Sequence, residues 1–153
     1  MSSALRPFVD TNVLLYLLSG DTTKADRAEA LLTQRIVISV QVLNEFTHVA
    51  RRKFKLEWTE IAQTLSDIRR FADVHPLTID THDRGLALAE RYKISLYDAM
   101  IAAAGLEAGC TSLLSEDFQA GQRLDGRLTV RKAHAYLLLA RRGFYVPMQD
   151  GQP

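Results

Sequence analysis

Sulfur chemistry is almost missing from this sequence. One cysteine, Cys110, among 153 residues excludes an intramolecular disulfide framework and fits a reducing cytoplasm, where such a thiol serves as a small buried hydrophobe. Eight glycines and four prolines exclude collagen-like and low-complexity chains, and 47% hydrophobic against 24% charged residues excludes disorder. Long apolar runs are missing too: residues 13–18 and 99–106 are the longest, far short of the ~20 that a membrane-spanning helix needs. The chain opens without a basic segment leading into an apolar one, so no secretory signal is expected, and the protein is placed in the cytoplasm with no membrane partner. Excess charge of one sign is absent as well. The net charge of +1 is uneven, however, because residues 119–153 carry six Lys and Arg against two Asp. An acid-rich body with a basic end suits a cation site facing a polyanion path, and equally an ordinary solvated surface.

What is present is alternation. Residues 5–9 read as a short buried strand ending at Asp10, and Val13, Leu14, Leu17 and Leu18 then recur at helical spacing. A second helix covers 24–33, a β-branched strand 36–40, and helices 41–54 and 58–71. Pro76 breaks the pattern, 77–79 is expected as a short strand, and 81–92 as a helix. Ser95 opens a helix that Gly109 ends, a strand follows over 111–114, and a last strand and helix are expected over 128–130 and 133–142. Strands separated by helices imply parallel pairing through right-handed crossovers, hence an α/β sandwich with helices on both faces of a mostly parallel sheet. With no repeat and no linker, residues 1–153 are expected to form one domain, with a core over about 5–131 and a C-terminal helix and tail over 132–153.

In an open parallel sheet, ligands bind beyond the carboxyl ends of the strands. Asp10 stands there, and so do Glu116 and Asp117 after Ser115. Each acid alone is explained as a helix cap. Glu45 falls beside Val49 on the rim of its helix's apolar stripe, where its stem can cover the core while the carboxylate reaches water. Asp98 fits a capping box with Ser95, yet it opens a helix that is apolar or Gly from Ala99 to Leu106 and is carried toward the interior. Carboxylates gathered in one cleft raise one another's pKa values unless a cation lies between them. A hard divalent ion, Mg²⁺ or Mn²⁺, matches oxygen donors, and no Cys-His cluster points to zinc. Such a site binds a phosphodiester oxygen and activates water for in-line attack.

At Asp10-Thr11-Asn12, Asn44-Glu45, Tyr97-Asp98-Ala99 and Ser115-Glu116-Asp117 the sequence resembles the PIN-domain nucleases, and in size and motif spacing the VapC-like toxins of type II toxin–antitoxin modules. The likeness covers about residues 5–131. It implies a PIN-like three-layer sandwich and an acidic quartet of Asp10, Glu45, Asp98 and Asp117 around Mg²⁺ or Mn²⁺. Thr11, Asn12 and Ser115 support it, and Glu116 is the alternative fourth ligand. It further implies metal-dependent endoribonuclease activity on RNA with metal-activated water, a homodimer, and inhibition by a cognate antitoxin. Toxin and nuclease of RNA maturation or decay share these motifs, and the compact length favours the toxin.

Three other readings compete. A metal-independent ribonuclease would use His48, one turn beyond Glu45, for acid–base chemistry; His75, His82 and His134 share no motif with it. A haloacid-dehalogenase-like phosphatase needs Asp-x-Asp where this chain has Asn12. A PIN-like module that binds RNA or a partner without turnover is the non-enzymatic reading. Arg51, Arg52, Lys53 and Lys55 are expected to hold RNA backbone, or only to complement the end of their helix. The tail, with Arg141, Arg142, Phe144 and Tyr145, is expected to pack, because Tyr136, Leu137, Leu138 and Leu139 call for burial.

Overall fold

The computed structural model describes residues 6–141; the expectations for Leu5 and for the tail from Arg142 onward lie outside them. Six strands form one sheet: β1 (Phe8–Val9), β2 (Ile36–Ser39), β3 (Ala72–His75), β4 (Ser112–Leu114), β5 (Arg123–Leu124) and β6 (Leu128–Arg131). Their order is β3-β2-β1-β4-β6-β5, with every pairing parallel except β5 with β6. Around the sheet run α1 (Thr11–Leu14), a 3₁₀ turn (Leu15–Leu18), α2 (Thr22–Leu32), α3 (Val40–Arg52), α4 (Trp58–Arg70), α5 (Ile79–Tyr92), α6 (Leu96–Glu107) and α7 (Ala133–Arg141). Successive residues of a strand face opposite sides, yet all of β1, β2 and β4 is buried, so both faces of the sheet are covered.

Local chemistry starts the helices where the sequence places polar caps. Asp21 Oδ1 accepts from Thr23 N at 2.9 Å, Ser39 Oγ from Val42 N at 3.3 Å, and Ser95 Oγ from Asp98 N at 3.1 Å. Helix α6 is buried from Ala99 through Leu106, in agreement with its apolar sequence, and its crossing with α5 is close. A Cβ at Gly85 would meet Met100 Sδ at 2.5 Å. After α6, Gly109 takes a φ of +78°, the left-handed turn its sequence position predicts.

Two elements differ from expectation. The strand expected over 77–79 is instead β3, earlier in the chain, and Ile79 opens α5 at 75% exposure. Thr78 caps that helix through Thr81 N at 3.2 Å, which draws residues 78 and 79 away from any ladder. Strand β3 lacks an apolar run because it carries Asp73, which pairs with Arg6 and Arg35. Strand β5 was not expected at all. It turns into β6 through Asp125 and Gly126, both at positive φ, with Arg127 N donating to Leu124 O at 3.1 Å, the geometry that an Asp-Gly hairpin turn requires.

The chain order places the functional edge. From β1 the chain moves one way to β2 and β3, and then β4 pairs on the other side of β1. The switch point of the sheet therefore lies between β1 and β4, where connections diverge and leave a crevice.

Candidate active site

Asp10 is the first residue past β1 and lies at that crevice. Its backbone N donates to Leu114 O at 2.9 Å, so the ends of β1 and β4 are tied together. It caps α1, with Oδ1 accepting from Thr11 N at 2.7 Å. Oδ2 accepts from Ser115 Oγ at 2.7 Å and from Asn12 Nδ2 at 3.5 Å. All of these donors are neutral. With 3% of its surface exposed, Asp10 is pushed up to a pKa of about 7, chiefly by burial and further by the charges of Asp117 and Glu45, against the Ser115 and Thr11 hydrogen bonds.

Three further carboxylates reach the same crevice from other elements. Glu45 projects from α3, where Thr11 Oγ1 donates to Oε1 at 2.7 Å and Gln41 Nε2 to Oε2 at 3.2 Å. The Gln41–Glu45 bond is a one-turn pair on the helix, a spacing visible in the sequence though not read there. Asp98 stands in the first turn of α6, its pKa raised by burial and by Asp117 and Glu45. Asp117 follows β4, its backbone N donating to Ser115 Oγ at 3.0 Å. Asp10, Glu45, Asp98 and Asp117 line one cavity of about 630 Å³, together with Thr11, Asn12, Leu15, Gln41, Asn44, His48, Val49 and Tyr97. That volume falls within the ~300–1,000 Å³ range of small-ligand sites.

Glu116 turns elsewhere. Tyr16 OH donates to its Oε1 at 2.8 Å, Lys132 Nζ lies 3.3 Å from its Oε2, and its backbone N donates to Asn12 Oδ1 at 3.3 Å. The alternative fourth ligand is thus occupied by a lysine and a phenol and is not among the residues lining the cavity, whereas Asp117 is. Tyr16 and Lys132 were not singled out from sequence, because 100 and 16 residues separate them from Glu116. Arg51 is engaged as well: Nη1 donates to Leu56 O at 2.9 Å and the guanidinium stacks over Trp58 at 5.2 Å, fastening the turn between α3 and α4. Arg52, Lys53 and Lys55 are exposed near it, and none of the four basic residues lines the cavity. Of the four histidines only His48 does; His75 bonds Glu107 at 3.2 Å, and His82 pairs with the exposed Asp83.

The donors suit a hard cation. Four carboxylates from four segments face the cavity with no Lys or Arg among its lining residues, and the most buried of them has only neutral partners. Among the described residues, no three such side chains are drawn together closely enough to cage a metal unaided. A hard cation in such a cavity would complete its coordination with water. Cys110 plays no part: it is buried, with its thiol pushed up to about 12 by burial.

No curated protein is significantly similar in sequence. Among solved structures, VapC20 of Mycobacterium tuberculosis, described as a Sarcin-Ricin loop cleaving toxin, is 21% identical with a TM-score of 0.62, over 79% of this chain and 98% of that one. A toxin–antitoxin complex from Klebsiella pneumoniae is 23% identical with a TM-score of 0.58, over 72% and 86%. VapBC2 from Rickettsia felis, bound to a DNA fragment from their promoter, is 16% identical with a TM-score of 0.60, over 82% and 97%. These likenesses concern the fold. The PIN domain family model matches residues 8–123, which contain Asp10, Glu45, Asp98 and Asp117, and so the chain belongs to the PIN domain family.

Proposed function

We propose that this protein is a metal-dependent endoribonuclease, the toxin of a toxin–antitoxin pair. The observation that carries the reading is the convergence of four carboxylates on one cavity free of lysine and arginine at the switch point of the sheet. Asp10, Glu45, Asp98 and Asp117 would hold Mg²⁺ or Mn²⁺. When bound, the ion supplies charge neutralisation for a phosphodiester and acidifies water. The rest falls to the protein. Ser115, Thr11 and Asn12 orient Asp10, Thr11 and Gln41 orient Glu45, and Tyr16 and Lys132 keep Glu116 aside so that Asp117 faces the cavity. Because burial raises the pKa of Asp10 to about 7, a cation held there would compete with a proton near neutral pH.

The toxin assignment draws support from fold kinship with toxins of comparable span, of which VapC20 cleaves the Sarcin-Ricin loop. From those relatives we extend to this chain an RNA substrate and an antitoxin partner; a homodimer and a cytoplasmic site of action are expected from the sequence alone. No helix among the described residues is long and apolar enough to cross a membrane.

The test is cleavage of a mixed cellular RNA pool by purified protein in Mg²⁺, in Mn²⁺ and in chelator, beside Asp98→Asn, with product ends mapped. Metal-dependent cuts leaving 5′-phosphate and 3′-hydroxyl ends, absent from the variant, are expected. Cyclic 2′,3′-phosphate ends formed in chelator would move the chemistry to His48, and absence of cleavage by the metal-loaded protein would leave a binding module. Induced expression should arrest growth, with relief on co-expression of a cognate antitoxin.

A further inference from the structure

An acidic cavity poses a problem for a polyanionic substrate. Its lining holds four carboxylates and no lysine or arginine, so backbone phosphates gain no side-chain cation there. Affinity at the reacting position has to come from the bound cation and from contacts that do not depend on charge. The uncharged, apolar part of the lining consists of Leu15, Val49 and Tyr97.

Tyr97 is unlike the other described tyrosines. Tyr16 OH bonds Glu116, Tyr92 OH bonds Asp125 and accepts from its backbone N, and Tyr136 is buried. Each of these serves the fold. Tyr97 is 65% exposed, and no hydrogen bond or ring contact engages it among the described residues. It nevertheless lines the cavity, one residue before Asp98 on the first turn of α6, a helix buried from Ala99 through Leu106. An aromatic face therefore lies beside the carboxylates with most of its surface open to solvent.

We propose that Tyr97 is a stacking platform for one nucleobase of single-stranded RNA, adjacent to the phosphate that enters the cavity. The inference rests on the nuclease reading and adds to it how the substrate is held. Every base has a π-face, so this contact is tolerant of base identity and insensitive to salt, in contrast to phosphate contacts by Arg52 and Lys53. The tyrosine hydroxyl is not needed for it.

The experiment uses the full chain in Mg²⁺ with Glu116→Gln as a background that turns over slowly and keeps its metal affinity, and fluorescein-labelled single-stranded RNAs of mixed sequence, with a parallel set carrying 2-aminopurine. Adding Tyr97→Ala should weaken RNA binding about tenfold with the salt slope unchanged, and Tyr97→Phe should bind within about twofold of the background. Binding should quench 2-aminopurine at one position of the strand, and Tyr97→Ala should abolish that quenching. Equal affinity and retained quenching in Tyr97→Ala overturn the proposal. So does unchanged RNA affinity accompanied by loss of self-association in sedimentation, which would assign the ring to a protein contact. Because none of these readouts needs turnover, failure of the nuclease reading shows separately, as wild-type protein that binds and stacks RNA but never cleaves it.

Discussion

Two aspartates at opposite ends of the same strand's neighbourhood are treated in opposite ways. Arg6, just before β1, reaches across to Asp73 on β3, where Arg35 also donates at 2.9 Å, and these guanidiniums hold the Asp73 carboxyl below its usual range. Asp10, just after β1, receives only an amide hydrogen, a hydroxyl and a side-chain amide, and burial lifts it to about 7. The fold supplies cations where a carboxylate serves structure and withholds them where carboxylates converge. Charge left uncompensated at Asp10 is charge available to a ligand, and the folded state bears its cost.

The sharpest way to break the comparison is to neutralise each aspartate. Asp10→Asn should lower RNA cleavage on the order of 10³-fold, since a lost metal contact removes several kcal/mol of transition-state stabilisation. Asp73→Asn should leave cleavage within about twofold while costing roughly 1 kcal/mol of stability, because Asp73 is partly exposed and its ion pairs are screened. Urea unfolding beside a cleavage assay reads both, and comparable activity losses would remove the distinction.

The pH dependence sharpens it. Asp10 in the folded protein keeps a proton that the unfolded chain releases near pH 4, so the folded state binds more protons between about pH 4 and pH 7. Stability of the metal-free protein should therefore fall as pH rises through that window, by up to about 4 kcal/mol, and the raised Asp98 acts with the same sign. Asp10→Asn should flatten the profile. Mn²⁺ should raise Tm most at pH 7 and above, where it displaces the fewest protons, and much less in Asp98→Asn. A wild-type profile that rises from pH 4 to 7 would contradict the assignment of Asp10 as the strained acid.

Smaller effects separate neighbours. Glu116→Gln should reduce cleavage about tenfold by loosening the segment that carries Asp117, with metal affinity retained, whereas Asp117→Asn should lose metal affinity as well. Equal metal losses in the two would return Glu116 to the ligand set. Least in magnitude, Arg52→Ala with Lys53→Ala should reduce the salt slope of single-stranded RNA binding by about 1.4 units, and an unchanged slope would clear α3's end of any role in the RNA path.

Much of this architecture was legible in the sequence because it is written in local patterns. The cap at Ser95, the helical spacing of apolar residues, and buried β-branched strands each follow from neighbours within a few positions. The error at 77–79 came from the same source: β3 carries Asp73, whose place in a strand depends on Arg6 and Arg35, 67 and 38 residues away. The hairpin of β5 and β6 had its Asp-Gly signal in plain sight, but two residues of strand are too short to show alternation. Leu138 is 51% exposed and lies with Leu137 beside α2, where full burial was expected from composition alone.

The sequence by itself determined which residues were acidic and where most strands and helices run, and therefore that Asp10 and Asp117 follow strand ends while Glu45 and Asp98 ride on helices. Only the tertiary structure gave Glu116 and Asp117, consecutive acids, different surroundings, with Tyr16 and Lys132 within reach of one and the cavity beside the other. It likewise engaged Arg51 with Leu56 and Trp58 and left Tyr97 exposed beside Asp98. The physical reason is common to these cases: the state of a charged or aromatic side chain depends on burial and on partners brought from distant segments, and those exist only once the chain has folded.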